Sequence, residues 1–187
     1  MTEHAQVATE RLLLRPWRET DFAPFHGING DPVAMEYFPG VLSRDESDAL
    51  ATRVKAHFDE HGFGFWAVEL PGEAEFIGMV GIAHVWFDAH FTPAVEIGWR
   101  LDRRYWGRGF ASEAARGALG YAFGPLGLSE VVAFTVPANR RSRAVMERIG
   151  MRRDPADDFE HPALLPGHAL RPHVLYRIRA EDWPTEG

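Results

Sequence analysis

The run AVEIGWRLDRRYWGRGFASEAARGALGYAF, residues 94–123, constrains the fold more than any other part of the chain. Its first third alternates. Val95, Ile97, Trp99 and Leu101 point one way and Glu96, Gly98 and Arg100 the other, the period of a strand with one face in a core. Its second half has helical period: Phe110, Ala114, Ala118 and Ala122 form one ridge, and Ala111, Ala115, Leu119 and Phe123 its neighbour. Such small side chains let a helix lie close against a sheet. Between strand and helix stand Gly107 and Gly109, which reach backbone angles other residues avoid and let a ligand approach the main chain. A helix starting near Gly109 opens with N–H groups that have no intrahelical partner, and its positive end favours an anion. Arg103, Arg104 and Arg108 can reinforce that charge, since arginine can hold phosphate through two parallel hydrogen bonds. Spacing alone leaves two readings open: a phosphate-binding turn, or a glycine turn before a well-packed helix. Two phosphate fingerprints fit poorly. No Gly-Lys-Ser/Thr closes the turn as a P-loop requires. A dinucleotide fingerprint wants glycine at Ser112, although Glu130 falls roughly where its acidic residue would stand.

The remaining segments supply partners for this unit. RLLLRPW reads as a strand ending near Pro16, and ETDFAPFHGI as a short helix with Thr20 or Asp21 near its cap. A longer helix follows in SRDESDALATRVKAHFDEHG: Ser43 caps it, Glu46 completes a capping box, Gly62 ends it, and Leu50, Val54 and Phe58 form its apolar stripe. FGFWAVEL and FIGMVGIAHVW read as a hairpin, EVVAFTV as a buried strand, NRRSRAVMERIG as a helix closed by Gly150, and VLYRIR as a late strand. Hairpins around two strand–helix units predict an α/β fold with a mixed central sheet flanked by helices. One domain is expected over residues 9–180, with short terminal segments at 1–8 and 181–187.

Composition excludes several functions. A formal net charge of -7 disfavours general nucleic-acid binding and accommodates a cationic partner. No run of about 18 apolar residues is present, so no membrane span is expected. Cysteine is absent, which removes disulfides and thiolate chemistry and fits a reducing compartment. The N-terminal residues are polar and acidic, unlike a secretory signal, and a cytoplasmic location is expected.

Three blocks together resemble the Gcn5-related N-acetyltransferase superfamily over roughly residues 9–179. RYWGRG matches the family's acetyl-CoA signature, with Arg104, Gly107 and Gly109 in the motif positions. NRRSRAVMERIGM resembles the later asparagine–helix–glycine segment, and DFEHPALLPGHALRPHVLYRI together with TERLLLRPWRETD is similar to the branch of ribosomal-protein N-terminal acetyltransferases. The resemblance implies a strongly twisted mixed sheet splayed between AVEIGWRL and EVVAFTV, with acetyl-CoA entering the opening. The pyrophosphate is then expected on the backbone of Gly107, Arg108, Gly109, Phe110 and Ala111, with Arg104 beside it. The strand at Ile97 and Trp99 is expected to hold the pantetheine arm and an oxyanion. Asn139 and Ser142 are expected near the cofactor arm and thiol.

The implied reaction is direct acetyl transfer to a primary amine, a peptide or protein N-terminal or amino-acid α-amine, with no metal. A basic protein or a ribosomal-protein N-terminus fits as partner. Glu96 is the candidate base, its alternative role being an ion pair with Arg100 or simple exposure. Ser142 is the second catalytic candidate. The family often places a tyrosine seven residues beyond the asparagine, where this chain has Met146; Tyr176 can instead anchor the last sheet strand. His57 and His61 are four apart on a helix, and a polar face is expected there. Trp17, Tyr37, Phe38 and Trp86 are candidates for lining the acceptor cleft, or for filling a core. Two other functions stay open: an acyl-CoA-binding regulatory module without catalysis, and a dinucleotide-dependent oxidoreductase. Monomer and homodimer are both compatible with the sequence.

Overall fold

The computed structural model describes residues 5–184, so parts of the expected terminal segments, 1–4 and 185–187, lie outside the described residues. In chain order the elements are β1 (Val7–Ala8), β2 (Leu13–Arg15), α1 (Phe22–Asn29), α2 (Arg44–His61), β3 (Phe65–Leu70), β4 (Ala74–His84), β5 (Val95–Leu101), α3 (Phe110–Phe123), β6 (Glu130–Thr135), α4 (Arg140–Arg148), β7 (Arg152–Arg153), β8 (Phe159–Glu160) and β9 (Pro172–Arg179). The sheet runs β1-β2-β3-β4-β5-β6-β9-β7, with β8 also paired to β9. Neighbours are antiparallel except β5 and β6, which α3 connects as a parallel pair. The fold is the expected mixed sheet between helices.

Side-chain parity sorts the layers. Trp66, Val80, Ile97 and Val131 join the large core that also contains Ala114, Ala115, Ala118, Leu119 and Ala122 of α3 and Met146 of α4. Those small α3 residues are fully buried, which is what the alanine ridges require. Ala67 and Met79, of opposite parity, pack with Trp17, Phe25, Ala51 and Val54 beneath α1 and α2. Val132 and Leu175 lie on that second face too, under Phe87 and Phe91 from the β4–β5 loop and Phe159 of β8. Between these two apolar clusters, β5 contributes Glu96, Gly98 and Arg100 to the same face. A strip of charge and glycine therefore crosses an otherwise apolar surface.

The ends of α2 follow the sequence. Ser43 Oγ accepts from the Glu46 N–H, Glu46 accepts from the Ser43 N–H, and Gly62 takes a left-handed φ of 75°. Its buried stripe is rotated from the expected one: Ser47, Ala51, Val54 and Phe58 face inward, and Leu50 sits at the margin. Ser47 is tolerated inside because Asn29 Nδ2 donates to its Oγ at 2.9 Å. At α1 the expected side-chain cap does not form. Asp21 turns inward instead and accepts from both Nη atoms of Arg15, at 2.8 and 2.9 Å, and from the Arg18 N–H. Both charges are buried, so each needs the other.

Candidate active site

The sheet opens where β5 and β6 part. β4 pairs with β5 along its length, from Gly78↔Leu101 to His84↔Val95, whereas β5 and β6 share only Glu96↔Val132. Beyond that pair the β5 edge facing β6 has no ladder partner, and its amides and carbonyls line a slot. Those groups seek hydrogen-bond partners, which an amide-bearing arm can supply. Ile97 is itself a core side chain, so it offers the slot only backbone; Trp99 is half-buried.

At the C-terminal end of β5 the chain makes the glycine turn. Gly107 and Gly109 have φ of 75° and 82°, and Gly109 is the N-cap of α3 without any side-chain cap. Among the described residues, no acceptor takes the N–H groups of residues 107–112; the first α3 amide to bond back is that of Glu113, to the Gly109 carbonyl. A row of open donors at a positive helix end is an anion cradle. Phe110 contributes only its N–H, because its ring is 2% exposed and belongs to the core. Glu113 would repel an anion from the first turn, but it is tied back by Thr9 Oγ1 at 2.6 Å and by the Arg11 N–H and Nε at 2.7 Å. Arg11 also lies over the Phe110 ring and donates to the Arg108 carbonyl. Nothing in the spacing of the turn points to Arg11, which arrives from almost a hundred residues away.

The expected arginines flank this cradle with their charges already matched. Arg104 pairs with Asp102 at 2.6 Å, Arg108 with Glu73 at 2.8 Å, and Arg103 with Asp31 at 3.2 Å. These are exposed pairs, each worth little, and exchange for phosphate costs little. Arg141 at the start of α4 stacks on Trp106 in the turn and pairs with Glu36 from the α1–α2 loop. One guanidinium thus links both walls of the slot to the loop above it.

Asn139 caps α4: its Oδ1 accepts from the Ser142 N–H, and its Nδ2 donates to Thr135 Oγ1 and Ser142 Oγ. Its side chain is thereby committed to the helix end, and it fixes Ser142, whose own hydroxyl proton stays free to donate. Met146 is core. Tyr176 is 2% exposed; its hydroxyl donates to Glu147 and accepts from Arg143 Nε, an anchor between β9 and α4. His57 has both ring nitrogens engaged, at Phe63 O and the His84 N–H, and packs against His61 and His84.

Glu96 stands at the last paired position before the split. Among the described residues, none gives its carboxylate a hydrogen bond or an ion pair. Arg100 is four residues along an extended strand, about 13 Å away, and donates to Asn29 instead. Glu96 keeps some solvent contact, yet the surrounding protein desolvates it and pushes its pKa up to about 8. The other acceptor candidates scatter. Trp17 is buried, its indole N–H donating to Phe65 O; Tyr37 is half-buried near Arg141; Phe38 lies over Arg100; Trp86 is 73% exposed beside Phe87. The last three lie outside the helices and strands, and of them Phe38 meets the strip, at Arg100.

A family model described as an acetyltransferase (GNAT) domain matches residues 11–152, which include the split strands and the glycine turn. The chain belongs to the GNAT acetyltransferase family. Relatives cover nearly all of it. It is 35% identical over 98% of its length, and 80% of the relative's, to the FsC-acetyl coenzyme A-N(2)-transacetylase of Aspergillus fumigatus. It is 26% identical over 95% of its length, and 92% of the relative's, to the ribosomal protein uS5 alanine N-acetyltransferase of Escherichia coli. The crystal structure of a GNAT acetyltransferase from Bacillus anthracis superposes with a TM-score of 0.77 at 30% identity, covering 95% of this chain and 99% of that one. This acetyltransferase is accordingly an enzyme of acyl transfer, and acetyl-CoA is the family's donor. The geometry fits that donor: open amides for its phosphates, an unpaired strand edge for its amide-bearing arm, and a carboxylate at the inner end. The dinucleotide reading falls here, and Ser112, where its glycine would stand, is buried and bonded to Arg148.

Proposed function

We propose that this acetyltransferase moves an acetyl group from acetyl-CoA directly to a primary α-amine, that of an amino acid or of a peptide or protein N-terminus. Acetyl-CoA supplies the acyl group as a thioester. The protein must then hold the amine neutral and accept its proton. The observation that carries the reading is Glu96, partnerless and half-buried at the point where the sheet divides. Its pKa of about 8 matches an α-amine, near 8, and falls short of a lysine side chain, near 10.4. Glu96 takes the proton directly or through one water. The amides of Gly107 to Ala111 hold the pyrophosphate, with the neighbouring arginines exchanging partners to reach it. Ser142, oriented by Asn139, donates toward the sulfur. The two relatives named above, an N(2)-transacetylase and an alanine N-acetyltransferase, differ widely in acceptor size, so a basic protein N-terminus and a small amine both fall in the proposed class. The net charge of -7 favours a basic acceptor protein. A cytoplasmic setting belongs to the same proposal. No observation favours an acyl-CoA-binding module without catalysis.

The test is an acceptor panel with acetyl-CoA: free amino acids, short peptides, polyamines and basic ribosomal proteins, with the acetylated position read by mass spectrometry. Acetylation of α-amines is the expected result. Product found only on polyamines or lysine side chains overturns the assignment.

A further inference from the structure

Arg100 is a charge for which the reaction has no use. It lies on β5, on the same face as Glu96, with Gly98 between them. Nη1 donates to Asn29 Oδ1 at 2.6 Å, and Asn29 is itself held by Ser47, so the guanidinium has a fixed orientation. Phe38 covers one side, its ring centre 4.2 Å from the guanidinium carbon. The Nε atom is shielded from solvent and has no hydrogen-bond partner. By contrast, Arg103, Arg104, Arg108 and Arg141 each have a carboxylate within 4 Å, and among the described residues Arg100 has none.

An enclosed cation without an anion is costly, and desolvation alone pushes the Arg100 pKa down to about 10. The edge without a hydrogen-bond partner among the described residues is the Nε–Nη2 side, the side that matches a carboxylate through two parallel hydrogen bonds. Asn29 occupies the far nitrogen, so the unpartnered edge is held in one orientation rather than free to rotate. Phe38, the cover on one side, belongs to the loop between α1 and α2 and is itself exposed.

We infer that Arg100 binds an anionic group of the acceptor, so that the acceptor is an amine carrying a carboxylate several bonds from the reacting nitrogen. The inference rests on the proposed reaction at Glu96. Glu96 and Arg100 are about 13 Å apart at their Cα atoms. A hydrogen bond at each end takes up part of the span that the acceptor must bridge. A dipeptide's terminal carboxylate, or an acidic side chain at the second residue of a longer peptide, suits that span. The carboxylate of a free α-amino acid lies too close to its own amine.

The probes are alanyl-alanine and its C-terminal amide as acceptors, and N-acetyl-alanyl-alanine with and without C-terminal amidation as ligands of the enzyme with CoA. The wild type is expected to favour the free acid over the amide by at least about tenfold, both in kcat/KM and in calorimetric Kd. Arg100→Met keeps the length and the packing on Phe38 but not the charge, and the acid-to-amide ratio should collapse toward one. Arg100→Lys should restore part of it. Equal use and equal binding of acid and amide by the wild type overturn the inference, as does a loss in Arg100→Met that is the same for both. Failure to bind either acetylated dipeptide overturns it as well. These outcomes, with acetyl transfer to other α-amines intact, leave the reaction at Glu96 standing. Absence of acetyl transfer to every amine removes the reaction itself.

Discussion

Replacing Glu96 with glutamine is expected to lower kcat by on the order of 10²-fold or more, the usual contribution of a positioned general base. Acetyl-CoA affinity should change little, because the donor's phosphates and arm are held elsewhere. The pH profile gives the sharper reading. Below pH about 7 the wild type must ionise Glu96 and also free an α-amine, both near 8. The logarithm of kcat/KM should therefore climb with a slope near two, and in Glu96→Gln with a slope near one, the amine's own. Folding offers an independent check. The folded-state pKa lies above the unfolded value, so the contribution to stability is full below the carboxylate's ordinary range and is lost as pH rises through about 8. Glu96→Gln escapes that loss. Relative to the wild type, its melting temperature should gain steadily from about pH 4, below the carboxylate's ordinary range, to pH 9. Unchanged turnover with an unchanged slope removes Glu96 from the chemistry.

The second large effect is at Gly109. A valine there must adopt φ near 82° at the start of α3, where a side chain costs about 1–2 kcal/mol or more. If the chain relieves that strain by turning the peptide, the row of amides at 107–112 no longer converges. Gly109→Val should raise the Kd for acetyl-CoA by roughly tenfold or more, measured by calorimetry. The helix itself should persist, because Ala114, Ala115, Ala118 and Ala122 still pack against the sheet. A folded variant with wild-type affinity separates the glycine turn from donor binding.

Local patterns in the sequence reached as far as local physics reaches. The alternation in β5 and the alanine ridges of α3 are set by the faces each must bury, so both were legible with their boundaries. The Ser43–Glu46 box and Gly62 were legible because caps are satisfied within a few residues. The family resemblance supplied the splay of β5 from β6, which no periodicity encodes; the single pair Glu96↔Val132 is its structural form. What the sequence hid were partners distant in the chain. Asp21 looked like a cap until Arg15 claimed it, and Glu113 is neutralised by Arg11, 102 residues away. Arg104 and Arg108 read as free cations, because Asp102 and Glu73 become their partners only in the folded chain. Trp17 could equally have lined the acceptor cleft or filled a core, and burial decided for the core. Arg100 read only as an ion-pair partner for Glu96, because Asn29 and Phe38, which hold it instead, are distant in the chain.

The most direct test of the account is a crystal structure of the enzyme with acetyl-CoA. The account places the pyrophosphate within hydrogen-bond distance of the amides of residues 107–112, the pantetheine arm along the unpaired edge of β5, and the acetyl group beside Glu96. An acetyl group bound away from Glu96, or a pyrophosphate away from the glycine turn, would contradict it.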